Sequence, residues 1–151
     1  MSSEGWADTE GLAGTGGLAS TGGLAGEGVT SAEPYEYALI RVVPRVERGE
    51  AMNAGVILYC QQHRYLGCRI LLNEDRLRAL DPGTDLAAVA AALGALEEGC
   101  RTGPAAGQPP GVRFRWLTAT RSTIVQPGPV HSGLTADPAA ELDRLFNDLV
   151  R

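Results

Sequence analysis

Charged and polar side chains that could bind an anion are concentrated in two stretches of the sequence. The first, RVVPRVERGEAMN, runs from Arg41 to Asn53 and places alternating arginines and glutamates between two apolar runs. The second, RFRWLTATRST, runs from Arg113 to Thr123 and combines arginines with hydroxyl side chains. Guanidinium, hydroxyl and backbone N–H groups together suit a phosphate or a carboxylate. The candidate residues of an anion or partner site are Arg41, Arg45, Glu47, Asn53, Arg115, Arg121, Ser122, Thr123 and His131.

The first stretch has two interpretations. Alternating charges are typical of a solvated turn, in which each surface ion pair contributes little to stability. However, Arg41 and Arg45 continue the alternation of the strand before them, which would bring their guanidinium groups onto a half-buried face. A buried arginine needs a partner, and Glu47 or Glu50 could supply it. If neither does so, the arginines would form an anion site.

The second stretch is equally open to a structural interpretation. Its arginines alternate with Phe114 and Trp116, and its serines and threonines are typical of a strand edge with local turns. Trp116 would then be a core anchor rather than a stacking platform. His131 follows in a loop flanked by proline and glycine, where it could be a general base or a structural histidine.

Motifs of the familiar enzyme classes do not appear in the sequence. We find no nucleophile motif, P-loop, dinucleotide-binding glycine fingerprint or pair of metal-binding carboxylates. The chain has three cysteines, Cys60, Cys68 and Cys100. They lack CxxC spacing, so no metal or other cofactor is indicated, and we expect them to be buried small hydrophobes. A tight turn at residues 61–64 would place Cys60 opposite residue 65, too far from Cys68 to form a disulfide.

The charges divide the chain into an acidic tail and a neutral domain. Residues 1–33 contain five acidic residues and no basic one, so they account for the whole net charge of −5. The remaining 13 acidic residues are balanced by 13 arginines, and the sequence contains no lysine. A neutral domain lacks the broad basic surface of a nonspecific nucleic-acid binder, so binding of nucleic acid through Arg113, Arg115 and Arg121 ranks last. No apolar run approaches the ~20 residues of a membrane span, so we expect a cytoplasmic protein without a membrane partner.

The domain organisation follows from glycine content and periodicity. The tail repeats TEGLAG, TGGLAS and TGGLAG, and we expect residues 1–33 to be disordered and residues 34–151 to form one domain. YEYALIRVVP, AGVILYC and RYLGCRILL predict an antiparallel meander, in which AGVILYC is a central strand because it is apolar on both faces.

Helices are predicted to follow the meander. Asn73 is the predicted N-cap of a short helix. An alanine-rich helix is predicted to begin at Thr84 or Asp85 and to stop at Gly99. Asp137 and Pro138 are predicted to begin an amphipathic C-terminal helix. These elements predict an α+β fold, an antiparallel sheet with the alanine-rich and C-terminal helices packed on it.

The same segments resemble the DUF3037 family of small bacterial proteins. The resemblance rests on YEYALIRVVPRVERGEAMNAGVILYC and FRWLTATRSTIVQPGPVHSGLTADPAAELDRLF, and it covers roughly residues 35–151. Thr120 is a departure, because the family pattern has a proline before the Arg-Ser pair. The resemblance implies an α+β domain and an association with HipA-like kinase-fold proteins, and it supplies no catalytic residues.

Two functions therefore remain in competition. The first is an accessory or interaction module that acts with a protein partner, for which the resemblance suggests a HipA-like protein. The alternative is an enzyme or a nucleotide- or phosphate-binding protein, which requires Arg41 or Arg45 to converge with Arg121 and His131 in one pocket. The oligomeric state is left open by the sequence.

Overall fold

The computed structural model of the protein describes residues 31–101, 107–121 and 123–151. The prediction of a disordered tail therefore concerns residues that lie almost entirely outside the described ranges, and Ser122 lies outside them as well. No helix in the described ranges is both long and apolar enough to cross a membrane.

Four strands form one antiparallel sheet in the order β3–β2–β1–β4. They are β1 (Glu33–Val42), β2 (Met52–Cys60), β3 (Tyr65–Ile70) and β4 (Val125–Thr135). The first three form the predicted meander, and the turn at residues 61–64 places Cys60 opposite Tyr65. β4 returns after three helices and pairs with the free side of β1. The predicted α+β class is confirmed.

Four helices accompany the sheet. They are α1 (Glu74–Leu80), α2 (Leu86–Arg101), α3 (Pro110–Leu117) and α4 (Pro138–Leu149). The predicted caps are confirmed: the Asn73 side chain accepts a hydrogen bond from the Arg76 backbone N–H at 3.0 Å, and Asp137 accepts one from Ala140 at 3.1 Å. Each cap satisfies a donor that the first helical turn leaves without an intrahelical partner.

The prediction that Gly99 stops α2 is wrong. The helix continues to Arg101, and Gly99 is buried inside it. A Cβ atom on Gly99 would lie 3.1 Å from the Leu117 Cδ2 atom. Glycine at this position therefore permits close packing of α2 against α3 rather than ending the helix.

The strand predicted for the VRFRWL segment is a helix. Phe114 and Leu117 lie one turn apart and are both buried, whereas Trp116 is 47% exposed and is not the predicted core anchor. A run of only six alternating residues fits a strand and a short helix with one apolar face equally well. Packing on the sheet decides between them, because Phe114 lies fully within the core.

The sheet is covered on its first face by α1, α2 and α3, and on its second face by α4. β2 contributes to both layers: Ile57 packs in the first core, while Val56 and Leu58 pack in the second. The double burial predicted for this strand is confirmed. From the helices, the first core takes Leu77, Val89, Leu93, Leu96, Cys100, Phe114 and Leu117, and the second takes Leu142, Leu145 and Phe146.

The second face is covered unevenly. α4 packs mainly on β2 and β3, and the side chains of β1 and β4 on this face stay partly exposed. We call this part of the sheet the open half-face. It consists of Tyr37, Leu39, Arg41, Gln126 and His131.

Candidate functional site

The charged turn between β1 and β2 is exposed, and its charges are paired locally. Arg45 donates to Glu47 at 3.0 Å, and Arg48 donates to Glu50 at 2.8 Å. The pKa of Glu47 is lowered by a bond from its own backbone N–H and by Arg45, and the pKa of Glu50 is lowered by Arg48. Exposed pairs of this kind contribute little to stability. The turn therefore behaves as the solvated turn of the first interpretation.

Arg41, in contrast, is half-buried and forms no ion pair with any described residue. Its Nε atom is buried and has no hydrogen-bond partner in the described part of the chain. No carboxylate among the described residues forms an ion pair with it, because Glu47 and Glu50 are engaged by their own neighbouring arginines. A buried guanidinium N–H without an acceptor is unfavourable. This is the condition under which the sequence indicated an anion site.

A glycine makes room for the Arg41 side chain. Gly128 lies in β4, and a Cβ atom there would sit 3.3 Å from the Arg41 Nε atom and 3.5 Å from Cζ. The guanidinium group thus lies against bare backbone. In the sheet, Arg41 pairs with Gln126 on one side and with Asn53 on the other. The Asn53 amide donates to the Leu149 carbonyl at 3.0 Å, which holds the end of α4 beside this position.

His131 lies on the same open half-face but at a distance from Arg41. The loop predicted around His131 is instead part of the edge strand β4, where His131 pairs with Tyr37. The two rings are 5.3 Å apart between centroids. Tyr37 and Arg41 are four residues apart along β1, which corresponds to about 13 Å between their backbones.

Arg121 caps the C-terminal end of α3 with its side chain. Its guanidinium donates to the carbonyl of Leu117 at 3.1 Å and to that of Trp116 at 2.8 Å, and lies 5.8 Å from the centroid of the Trp116 ring. Thr123 similarly donates its hydroxyl to the Val125 carbonyl at 2.8 Å. A cation at a helix C-terminus is favourable because unpaired carbonyls meet there. These contacts give both side chains local structural roles away from the open half-face.

Arg115 lines a cavity on the first face that is about 640 Å³ in volume. It forms an ion pair with Glu36 at 2.7 Å, and this hydrogen bond raises its pKa. Tyr59 and Ser132 also line the cavity. Because Glu36 already neutralises Arg115, an anion entering this cavity would first have to displace a carboxylate. Arg41 meets no such competitor.

A partly buried polar cluster that sequence reasoning missed connects β1 to α4. Tyr35 and Arg144 each donate to the same Glu141 oxygen at 2.5 Å. Burial, and then the bond to Glu141, raise the pKa of Tyr35. Burial also tends to raise the pKa of Glu141, but the bonds from Arg144 and Tyr35 outweigh it and hold that pKa below 4.5. Tyr35 and Glu141 are 106 residues apart, so no local pattern could have indicated this contact.

A protein-family model matches residues 37–150, and its description is a protein of unknown function, DUF3037. The chain belongs to the DUF3037 family. The matched region begins within β1 and ends after α4, so it includes the whole open half-face. No curated protein and no solved structure matches the chain.

The described ranges of this DUF3037 domain contain no group of three or more histidine, cysteine, aspartate or glutamate residues able to hold a metal ion.

Proposed function

We propose that this DUF3037 domain is an interaction module whose protein partner places an acidic group against Arg41 on the open half-face. The observation that supports this is the half-buried Arg41 guanidinium, whose Nε atom has no acceptor within the described chain. A carboxylate from a partner would neutralise this guanidinium and accept charge-assisted hydrogen bonds from its terminal N–H groups, two of which can bond in parallel.

The shape and composition of the surface favour a protein over a small molecule. Small-molecule sites are concave, whereas the open half-face is part of the surface of a sheet. Its side chains include Tyr37, Arg41 and His131, with Leu39 partly buried between them and the core. Tyrosine and arginine are enriched among the residues that dominate the energetics of protein interfaces.

The family resemblance suggests which partner to test first. It points to a HipA-like kinase-fold protein, and we propose such a protein, encountered in the cytoplasm, as the carrier of the acidic group. The role of this DUF3037 domain would then be that of an accessory subunit, with the chemistry residing in the partner.

The second candidate is a site for a small anion such as inorganic phosphate or the phosphate of a nucleotide. Gly128 favours it, because a residue without a Cβ atom leaves no side chain over the Arg41 guanidinium. In this version Arg41 is the remaining contributor, because His131 pairs with Tyr37, about 13 Å away along β1. Arg45, Arg115 and Arg121 are engaged by Glu47, Glu36 and backbone carbonyls.

The test compares Arg41→Gln with Arg45→Gln. Both variants remove one arginine charge, but Arg45 is exposed and already paired with Glu47. Tagged wild type and both variants are recovered from the native host, and the dissociation constant is then measured with the purified partner. Loss of a hydrogen bond to a charged group costs about 1.5–3 kcal/mol, so we expect binding to weaken by at least about tenfold in Arg41→Gln and to stay unchanged in Arg45→Gln.

The two candidates give different results with simple anions. If the ligand is a small anion, inorganic phosphate or nucleotides will raise the melting temperature of wild type but not of Arg41→Gln. Equal recovery of the partner by wild type and Arg41→Gln, with no response of either protein to these anions, would contradict both versions.

A further inference from the structure

Two of the three cysteines meet across the interface between α2 and β3. Cys68 lies in the edge strand β3, and Cys100 is the last residue but one of α2. Both residues line one cavity at this interface, where the Cys68 thiol donates to Cys100, and neither forms a disulfide. They are 32 positions apart in the sequence and on different kinds of element, so their meeting depends on the tertiary fold.

We propose that Cys68 and Cys100 form a redox-active dithiol that small hydroperoxides oxidise to a disulfide. The two cysteines lie on the first face of the sheet, whereas Arg41 lies on the second. The proposal is therefore independent of the partner-binding function.

The surroundings of the two thiols assign them different roles. The hydrogen bond from Cys68, followed by the charges of Arg113 and Arg101, lowers the pKa of Cys100. The same hydrogen bond and burial raise the pKa of Cys68. The thiolate is the reactive form of cysteine. Because the Arg113 guanidinium is held at Cys100, we assign Cys100 as the attacking residue and Cys68 as the resolving one.

The guanidinium of Arg113 is placed to support a charged sulfur. It donates from Nη2 to the Cys100 backbone carbonyl, which fixes it beside this residue. Its Nε atom is buried and has no hydrogen-bond partner in the described part of the chain. A thiolate or a sulfenate at Cys100 would bring negative charge next to this otherwise unsatisfied donor.

Access to the pair is through a small cavity. Both cysteines line a space of about 280 Å³, together with Arg69, Glu97 and Asp143. The space lies near the lower limit for ligand sites, which suits hydrogen peroxide or a small organic hydroperoxide better than a bulky disulfide such as oxidised glutathione.

The reaction balances as two successive displacements. The Cys100 thiolate attacks one peroxide oxygen, the S–O bond forms, the O–O bond breaks, and hydroxide leaves and takes a proton to become water. The Cys68 sulfur then attacks the sulfenic sulfur, the S–S bond forms, and the oxygen leaves as water with the Cys68 proton. Two thiols are oxidised by two electrons and one hydroperoxide is reduced, and an external dithiol would reverse the change.

The third cysteine provides a matched control. Cys60 is buried on the second face, where its thiol bonds to the Pro34 carbonyl at 3.4 Å. It should remain a thiol under conditions that oxidise the pair.

The experiment treats the reduced full-length protein with hydrogen peroxide, blocks remaining thiols by alkylation, and maps the peptides by mass spectrometry without reduction. We expect one cross-linked peptide pair, Cys68 with Cys100, in wild type and in Cys60→Ser. Cys68→Ser should instead accumulate a sulfenic acid on Cys100 that reacts with dimedone. Cys100→Ser should lose both the cross-link and the dimedone adduct.

Several outcomes would overturn the proposal. They are a wild-type protein whose Cys68 and Cys100 stay fully alkylatable, a cross-link that includes Cys60, and a sulfenic acid that forms on Cys68 when Cys100 is present. The wild-type peptide map alone decides the first two, so the result does not depend on the folding of the variants.

Discussion

At the scale of single residues, Arg41 differs from Arg45, Arg115 and Arg121 in what it lacks. Each of those three arginines has an acceptor within the domain, whereas the buried Nε atom of Arg41 has none in the described ranges. An unpaired charge withdrawn from water is destabilising for the isolated domain. A residue that lowers stability in the free protein and gains an acceptor on binding is typical of a functional site.

This reasoning predicts that stability and binding respond in opposite ways to Arg41→Met. Methionine keeps much of the apolar length of the side chain and removes the unsatisfied donor. We expect the free energy of unfolding to be unchanged within about 0.5 kcal/mol or to rise, while partner binding is lost. Urea denaturation measures the first quantity. A loss of more than about 2 kcal/mol would mean that Arg41 is a structural residue with an acceptor inside the fold.

A second prediction at this scale concerns the partly buried cluster of Tyr35, Glu141 and Arg144. Tyr35→Phe removes a hydrogen bond to a charged carboxylate, and we expect a cost of about 1.5–3 kcal/mol near neutral pH. Tyr65→Phe is the control, because the Tyr65 ring also packs at the edge of the second core but its hydroxyl bonds to no described residue. Equal destabilisation by the two substitutions would show that ring packing, not the hydrogen bond, explains the effect.

At the scale of elements, the sequence predicts best the segments whose period and caps agree. β2 and α4 are predicted because the AGVILYC part of β2 is apolar on both faces and α4 combines an N-cap, a proline and an apolar stripe. α3 was missed because six alternating residues do not distinguish a strand from a short helix. The end of α2 was missed because Gly99 serves packing against Leu117, a contact that only the tertiary structure creates.

In the candidate site, too, some features follow from the local sequence and others depend on tertiary contacts. The half-buried position of Arg41 follows from the alternation along β1 and could be predicted. Its lack of a carboxylate depends on Glu47 and Glu50 bonding to their own neighbours, which local spacing leaves undecided. The meeting of Cys68 with Cys100 depends on how α2 lies on β3, so neither sequence position indicates it.

Replacing either glycine of α2 with alanine is predicted to change the free energy of unfolding by a different amount. Gly94 is exposed and a Cβ atom there would contact nothing, whereas one on Gly99 would press on Leu117. Gly94→Ala should therefore raise the free energy of unfolding by about 0.5–1 kcal/mol through helix propensity alone. Gly99→Ala should give a smaller gain or a loss. Equal gains in denaturation experiments would show that α2 and α3 have room to separate.

At the scale of the whole molecule, helices cover the two faces of the sheet to different extents. The first face is closed by three helices and forms the larger core, while α4 closes mainly the β2 and β3 side of the second. The open half-face is thus a consequence of topology: β4 extends the sheet beyond the width that one helix covers. The Tyr35–Glu141–Arg144 cluster fixes α4 at the boundary between the covered and the open parts.

That cluster also predicts how stability depends on acid. The pKa of Glu141 is lower in the folded protein than its ordinary value of 4.5. Its stabilisation is therefore fully present above about pH 4.5 and is lost as the pH falls through the folded-state pKa. Glu141→Gln should be less stable than wild type near neutral pH, and the difference should shrink as the pH falls through the folded-state pKa of Glu141, below which both side chains are uncharged. A difference that stays constant in denaturation curves across this range would contradict the assignment.

The central claim is that a partner's acidic group pairs with Arg41, and a double-mutant cycle tests it most directly. The dissociation constant would be measured for wild type, for Arg41→Gln, for a partner with the acidic residue neutralised, and for both changes together. We predict a coupling of at least about 1.5 kcal/mol, so that the second change costs little once the first has been made. Effects that simply add, for every acidic residue of the partner's interface, would contradict the account.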